Sequence, residues 1–212
     1  SRHSILRDWY NMLNAGRKVA AVGNSDSHTV IANIAGIPRN FVHVGYDDAS
    51  NINPADVTKA IRDGYMFTTT GPFLRMTANG EPMGSVISVN DPIVDIHIDA
   101  QAASWIDLDT IRIIQNGDEV AIVEVDSDVD GVTHLRPRIR IDAPRDCWII
   151  AIAEGDEAMT PYVDEDDRQI FPLAIANPIF IDADGDGKYT PPKVWAENII
   201  SSGDQATIVK TF

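Results

Sequence analysis

The sequence predicts an α/β segment followed by an all-β, immunoglobulin-like sandwich, and three observations carry that expectation. Near the start, a small apolar run at residues 19–22 lies between stretches of helical periodicity, as a strand buried on both faces would. After Gly71-Pro72 the periodicity changes to the two-residue alternation of half-buried strands. Asn79-Gly80 and Asn116-Gly117 are the dipeptides of tight hairpin turns, and Asp130-Gly131 is a third turn candidate.

Taken in order, Ile5, Leu6, Trp9, Met12 and Leu13 fall at helical spacing, and Gly16 suits a helix C-terminus. The apolar run 19–22 follows and stops at Gly23-Asn24. Residues 41–44 read as a strand. Asn53-Pro54 opens a second helix, with Pro54 in its first turn and Val57, Ala60 and Ile61 on its apolar side. Gly64 ends that helix, and residues 65–69 read as the next strand. This alternation is α/β logic.

Beyond residue 74, Val94, Ile96 and Ile98 share one strand face while Asp95, His97 and Asp99 share the other. Leu135, Ile139 and Ile141 oppose His134, Arg136, Arg138 and Arg140 in the same way. Residues 148–153 are apolar on both faces, which marks a central strand. Short strands at turn-marked intervals point to a sandwich. The chain therefore divides into an α/β part at 1–74, a β-sandwich at 75–181, and an acidic turn with a tail at 182–212.

The net charge of −15 over 212 residues argues against binding nucleic acid or an anionic membrane, both of which need a basic face. The acidic residues are densest at Glu154-Gly155-Asp156-Glu157 and Asp164-Glu165-Asp166-Asp167, which read as solvated loops, with cation binding as the alternative. Such a surface suits a salty, periplasmic or extracellular setting. The longest apolar run, 148–153, is too short to span a bilayer. Cys147 is the single cysteine, so no intrachain disulfide forms, and its apolar neighbours mark it as a core thiol.

The chemistry in the sequence starts at Gly23-Asn24-Ser25-Asp26-Ser27-His28. In an extended chain, residues two apart point to the same side. Asp26 and His28 can therefore converge on one ion just past a strand's end. Two other readings exist for the same residues. Asp26, Ser27 and Thr29 are all good helix N-caps. The segment also has a faint look of the G-x-S-x-G nucleophile elbow, but Ser27 stands where the second glycine is needed, so that reading is set aside.

Three segments in order resemble the C-terminal part of PHP-superfamily metallohydrolases of the carbaryl-hydrolase-like (CehA/McbA) group. They are residues 8–28 with Gly-Asn-Ser-Asp-Ser-His at their end, Gly36-Ile37-Pro38-Arg39-Asn40-Phe41-Val42, and residues 60–73 ending in Gly71-Pro72-Phe73. The resemblance is close over the first third of the chain and looser beyond. It implies the C-terminal portion of a distorted β/α barrel with a sandwich after it, and it makes Asp26 and His28 ligands of a divalent transition metal (Zn, Mn or Fe). It also implies hydrolysis of phosphoester, carbamate or amide-like bonds in a small-molecule substrate. Arg39 is a weak candidate for contacting an anionic group of that substrate, with a surface salt bridge as the plainer reading.

The family's other ligands are missing from this sequence. His3, His28, His43, His97 and His134 form no H-x-H, H-x-x-H or H-E-x-x-H pair. A catalytic metal ordinarily takes three protein ligands and a water. The expectation is a C-terminal fragment of a longer hydrolase, inactive alone, whose catalytic residues the sequence does not give. An incomplete barrel exposes sheet edges, so self-association is expected too. The competing reading is a non-catalytic β-sandwich module for binding or structure. His97 and His134 fall on polar strand faces, and His43 alternates with Phe41 as a core residue would.

A second ion candidate lies near the C-terminus. Asp182-Ala183-Asp184-Gly185-Asp186-Gly187 puts carboxylates at positions 1, 3 and 5 of an EF-hand-like loop, with glycine at position 6. Oxygen ligands at this density suit calcium, in a structural role. Lys193 stands at position 12, where a bidentate glutamate is required, and the plain alternative is a tight acidic turn.

Overall fold

The computed structural model describes residues 2–28, 34–125, 132–161 and 169–203. Its strands in chain order are β1 (Arg39–Val42), β2 (Met66–Thr69), β3 (Phe73–Ala78), β4 (Glu81–Pro82), β5 (Val86–Ser88), β6 (Ile93–Ala102) and β7 (Thr110–Gln115). Then follow β8 (Asp118–Glu124), β9 (Thr133–Leu135), β10 (Arg138–Asp142), β11 (Cys147–Glu154), β12 (Leu173–Ala176) and β13 (Ile179–Asp182). The helices are α1 (Arg2–Asn14), α2 (Pro54–Asp63) and α3 (Pro192–Ser202).

These strands make two packed sheets. A five-stranded sheet has the order β10-β6-β3-β4, with β9 also paired to β6. An eight-stranded sheet runs β1-β2-β12-β11-β13-β5, with β7 on the other edge of β11 and β8 beyond β7. All pairs are antiparallel except β13 with β5. The core between the sheets takes alternate residues from each: Leu74, Met76, Ile96 and Ile98 from one, Ile111, Ile113, Ile149 and Ala151 from the other. The opposite face of β11 presents Trp148, Ile150 and Ile152 to Trp9 and Leu13 of α1. Being covered on both sides explains why β11 is apolar throughout.

Local chemistry sets the turns. Asn79 and Gly80 join β3 to β4, and Asn116 and Gly117 join β7 to β8, all four with positive φ, as two-residue hairpins require. In α2, Asn53 accepts the N–H of Ala55, Pro54 occupies the first turn, and Gly64 closes the helix in the left-handed conformation. The turn candidate Asp130-Gly131, the acidic stretch 164–167 and Thr29 lie outside the described residues.

The α/β expectation is corrected by this topology. No parallel β-α-β unit forms, and no part of a β/α barrel is present among the described residues. Although α2 connects β1 to β2, the two strands run antiparallel, with Phe41 opposite Phe67. Gly64 turns the chain straight back beside the end of β1, where the His43 N–H donates to the Tyr65 carbonyl. Both strands then join the sheet of β11, β12 and β13. The expected self-association through an incomplete barrel rested on that barrel and loses its premise.

The run 19–22 is not a strand either. Val19 and Val22 are 43% and 52% exposed. Backbone groups here find partners without a ladder: the indole N–H of Trp9 donates to the Val19 carbonyl, and side-chain amides take those of Ala21 and Gly23. Satisfied backbone, not hydrophobic burial, decides its conformation. His43, expected as a core residue, is exposed.

Candidate functional site

Two asparagines position the loop that carries Asp26 and His28. Asn177 lies in the break between β12 and β13, where the eight-stranded sheet forks, and is fully buried. Its Oδ1 accepts from Ala21 N (2.7 Å), and its Nδ2 donates to the carbonyls of Ala21 (3.1 Å) and Met66 (3.0 Å). Asn40 on β1 treats Gly23 in the same manner. It accepts from Gly23 N (2.9 Å) and donates to Gly23 O (2.8 Å) and Asn24 Oδ1 (3.1 Å). Ala21 and Gly23 are two apart and face the same side. Gly23 also lies so close to β2 that a Cβ there would collide with Thr68.

Past this anchor the chain rises into solvent. Asp26 has φ of +52°, which aspartate tolerates better than most residues. The side chains of Asp26 and His28 are 89% and 74% exposed, with Oδ1 and Nδ1 3.6 Å apart. His28 Nδ1 bonds to the Asp26 backbone carbonyl, an arrangement that puts the ring proton on Nδ1. Nε2 is left without a partner among the described residues, and in the neutral ring it carries the lone pair. The structure thus brings Asp26 and His28 together, but neither lines the cleft between Lys18 and Tyr65, the cleft over the outer face of the five-stranded sheet or the cleft beside α3.

Arg39 is held locally. Its guanidinium donates to the carbonyls of Gly36 (3.3 Å) and Gly71 (3.4 Å) and lies 5.5 Å from the Phe41 ring centroid. It ties two loops together.

The acidic loop after β13 assembles differently from its sequence pattern. Carboxylate oxygens of Asp182, Asp184 and Asp146 lie within 4.8 Å of one another, and Asp186 is not in the group. Asp186 instead accepts the Lys188 N–H at 2.7 Å. Asp146, just before β11, is buried and accepts from Ala183 N (2.8 Å) and Thr190 N (2.6 Å). Asp182 is fully buried and accepts from the Ser88 hydroxyl and from the N–H groups of Gly185 and Gly187.

Burial pushes the Asp182 carboxyl up, but the Ser88 hydroxyl and the N–H groups of Gly187 and Gly185 outweigh it and hold it below the usual carboxylate range. Asp184 goes the other way. The Asp186 N–H lowers it, yet partial burial, the charges of Asp186 and Asp146 and contact with Asp182 together raise it. Asp146 and Asp184 open onto a cleft of about 340 Å³ bounded by Trp195 and Ile199 of α3. Sequence reasoning missed Asp146 because nothing local connects it to a loop 36 residues later. A similar acidic group, Asp107, Asp109 and Asp156, is found at the far end of β7 and β11.

Cys147 is buried as expected, and burial pushes its thiol up to about 12, so it stays protonated and unreactive. No family model matches this chain, and no curated protein or solved structure matches it.

Proposed function

We propose that this chain contributes Asp26 and His28 to the divalent transition-metal centre of a hydrolase, with the two sheets as the platform that holds the loop. The observation that supports this reading is the bond from His28 Nδ1 to a backbone carbonyl. Metal-ligating histidines donate their second ring nitrogen in this way, which fixes the ring and frees the other nitrogen. The double-asparagine anchor adds rigidity where a site needs it. Two donors fit part of a site only. The remaining ligands, and the general acid or base, come from outside this chain, so the chain alone is inactive. When bound, such an ion lowers the pKa of a water and polarises a phosphoester, carbamate or amide-like bond. The test is calorimetric titration of Zn²⁺ or Mn²⁺ into the chain and into an Asp26→Ala/His28→Ala variant. Binding that is unchanged in the variant removes the proposal.

A second reading is a non-catalytic sandwich stabilised by calcium. It is favoured by the convergence of Asp146 with Asp182 and Asp184, since Asp146 supplies the third carboxylate that Lys193 cannot. Each carboxylate retains unused lone pairs beside its N–H partners, as a hard cation with six to eight oxygen ligands requires. Calcium-dependent thermal stabilisation, lost in Asp146→Asn, tests this reading separately.

A further inference from the structure

Strand alternation places Arg75, Arg138 and Arg140 together with Asp95, Asp99 and Asp142 on the outer face of the five-stranded sheet. Register places Thr77, His97 and Arg138 in one row across β3, β6 and β10, and Arg75 opposite Asp99 in the next. These rows form the floor of a cleft of about 650 Å³, walled by the β3–β4 hairpin with Met83 and by His43 and Tyr65 beside β2. A volume of that size suits a small organic ligand.

The charges do not balance. Three guanidiniums, those of Arg75, Arg136 and Arg138, line the cleft against one carboxylate, Asp99. Asp99 is already held by Arg75 at 3.2 Å, His134 at 3.2 Å and Arg136 at 3.9 Å. Arg138 has no hydrogen-bond or ion-pair partner among the described residues. Its neighbour Arg140, one row away, is paired with Asp95 at 2.9 Å. An unneutralised guanidinium therefore faces a cavity whose far wall carries an aromatic ring and a thioether.

From this arrangement we infer that the outer face of the five-stranded sheet is a binding site for a small organic oxyanion, a phosphate monoester or a carboxylate. Arg138 and Arg136 grip its head, and Tyr65 and Met83 cover its body. Guanidinium forks match both head groups two bonds at a time.

The experiment is titration of the full chain with phenyl phosphate, benzoate and neutral benzyl alcohol, followed by calorimetry. Saturable binding of phenyl phosphate or benzoate, absent for benzyl alcohol, is the expected result, and the tighter anion identifies the head group. Arg138→Ala, on an edge strand and exposed, should keep the fold and weaken that binding by roughly tenfold or more. Added salt should weaken it further. Absence of saturable binding for both anions, or an Arg138→Ala variant that is folded and binds as tightly as the parent, overturns the inference.

Discussion

Asn177 and Ala21, 156 residues apart in the chain, are joined by two hydrogen bonds in which a side-chain amide pairs with both peptide groups of one residue. The amide acts as a one-residue strand. It stands where the main sheet forks, and it also donates to the Met66 carbonyl, which the Asn177 backbone N–H reaches only at 3.4 Å.

Asn177→Ala should therefore be costly. It would leave the peptide N–H and carbonyl of Ala21 without their partner, leave the buried Met66 carbonyl with only the 3.4 Å backbone N–H of residue 177, and release the segment leading to Asp26. Unsatisfied buried groups cost about 1–3 kcal/mol each, which puts the loss at about 2–4 kcal/mol. Asn40→Ala, at a half-buried site where water can substitute, should cost about 1 kcal/mol. Urea midpoints of the two variants decide it. Equal losses would mean that the fork does not depend on the amide.

Gly23→Ala tests the same anchor by crowding. The new methyl would meet Thr68 and lie 3.2 Å from Pro38 Cβ, so either β2 or the segment must shift. Overpacking of this kind costs about 1–3 kcal/mol. Adding Thr68→Ala should restore part of the loss, a non-additivity read from a double-mutant cycle.

Much of the β architecture was legible before the structure. The alternation at Val94, Ile96 and Ile98, the two Asn-Gly turns and the apolar run of β11 depend on local rules that the fold obeys. The α/β reading failed because the run 19–22 has the composition of a buried strand, while its conformation is set by Asn40 and Asn177. No periodicity in the run itself could signal those partners. The direction of β2 was equally hidden, since a helix between two strands is compatible with parallel or antiparallel return. The proximity of Asp26 and His28 was legible from their spacing, although a left-handed turn at Asp26 and not an extended chain produces it, and the proximity of Asp182 and Asp184 was legible from the loop pattern. Asp146 belongs to their cluster through tertiary structure alone.

Helix α1 is locked to the sheet at one point. The indole N–H of Trp148 donates to Asn14 Oδ1 at 2.7 Å, and Asn14 Nδ2 reaches the Asn116 carbonyl in the β7–β8 turn. Tyr10 packs against the same indole, with ring centroids 5.3 Å apart and planes tilted by 41°. Trp148→Phe removes the donor and leaves a void, for a combined cost of about 2–4 kcal/mol. Hydrogen exchange should show α1 losing protection before β11 does. Uniform loss across both would show that the helix and sheet unfold as one unit.

The acidic cluster makes opposite predictions for two adjacent carboxylates. Asp182 has a folded-state pKa below its unfolded value of about 3.9, so its charge stabilises the fold above that pH, and the contribution disappears as pH falls through the lowered folded value. The stability gap between the parent and Asp182→Asn should be constant near neutrality and close below about pH 4. Asp184 is raised, so its ionisation opposes folding once pH exceeds the unfolded value. In EDTA at pH 7, Asp184→Asn should therefore melt at a higher temperature than the parent. Calcium would reverse the order, because the like charges that raise Asp184 are what a cation neutralises. Thermal scans in EDTA and in millimolar calcium measure both signs. A parent protein that gains nothing from calcium would leave the cluster as a set of loop caps, satisfied by the N–H groups of Ala183, Gly185, Gly187 and Thr190.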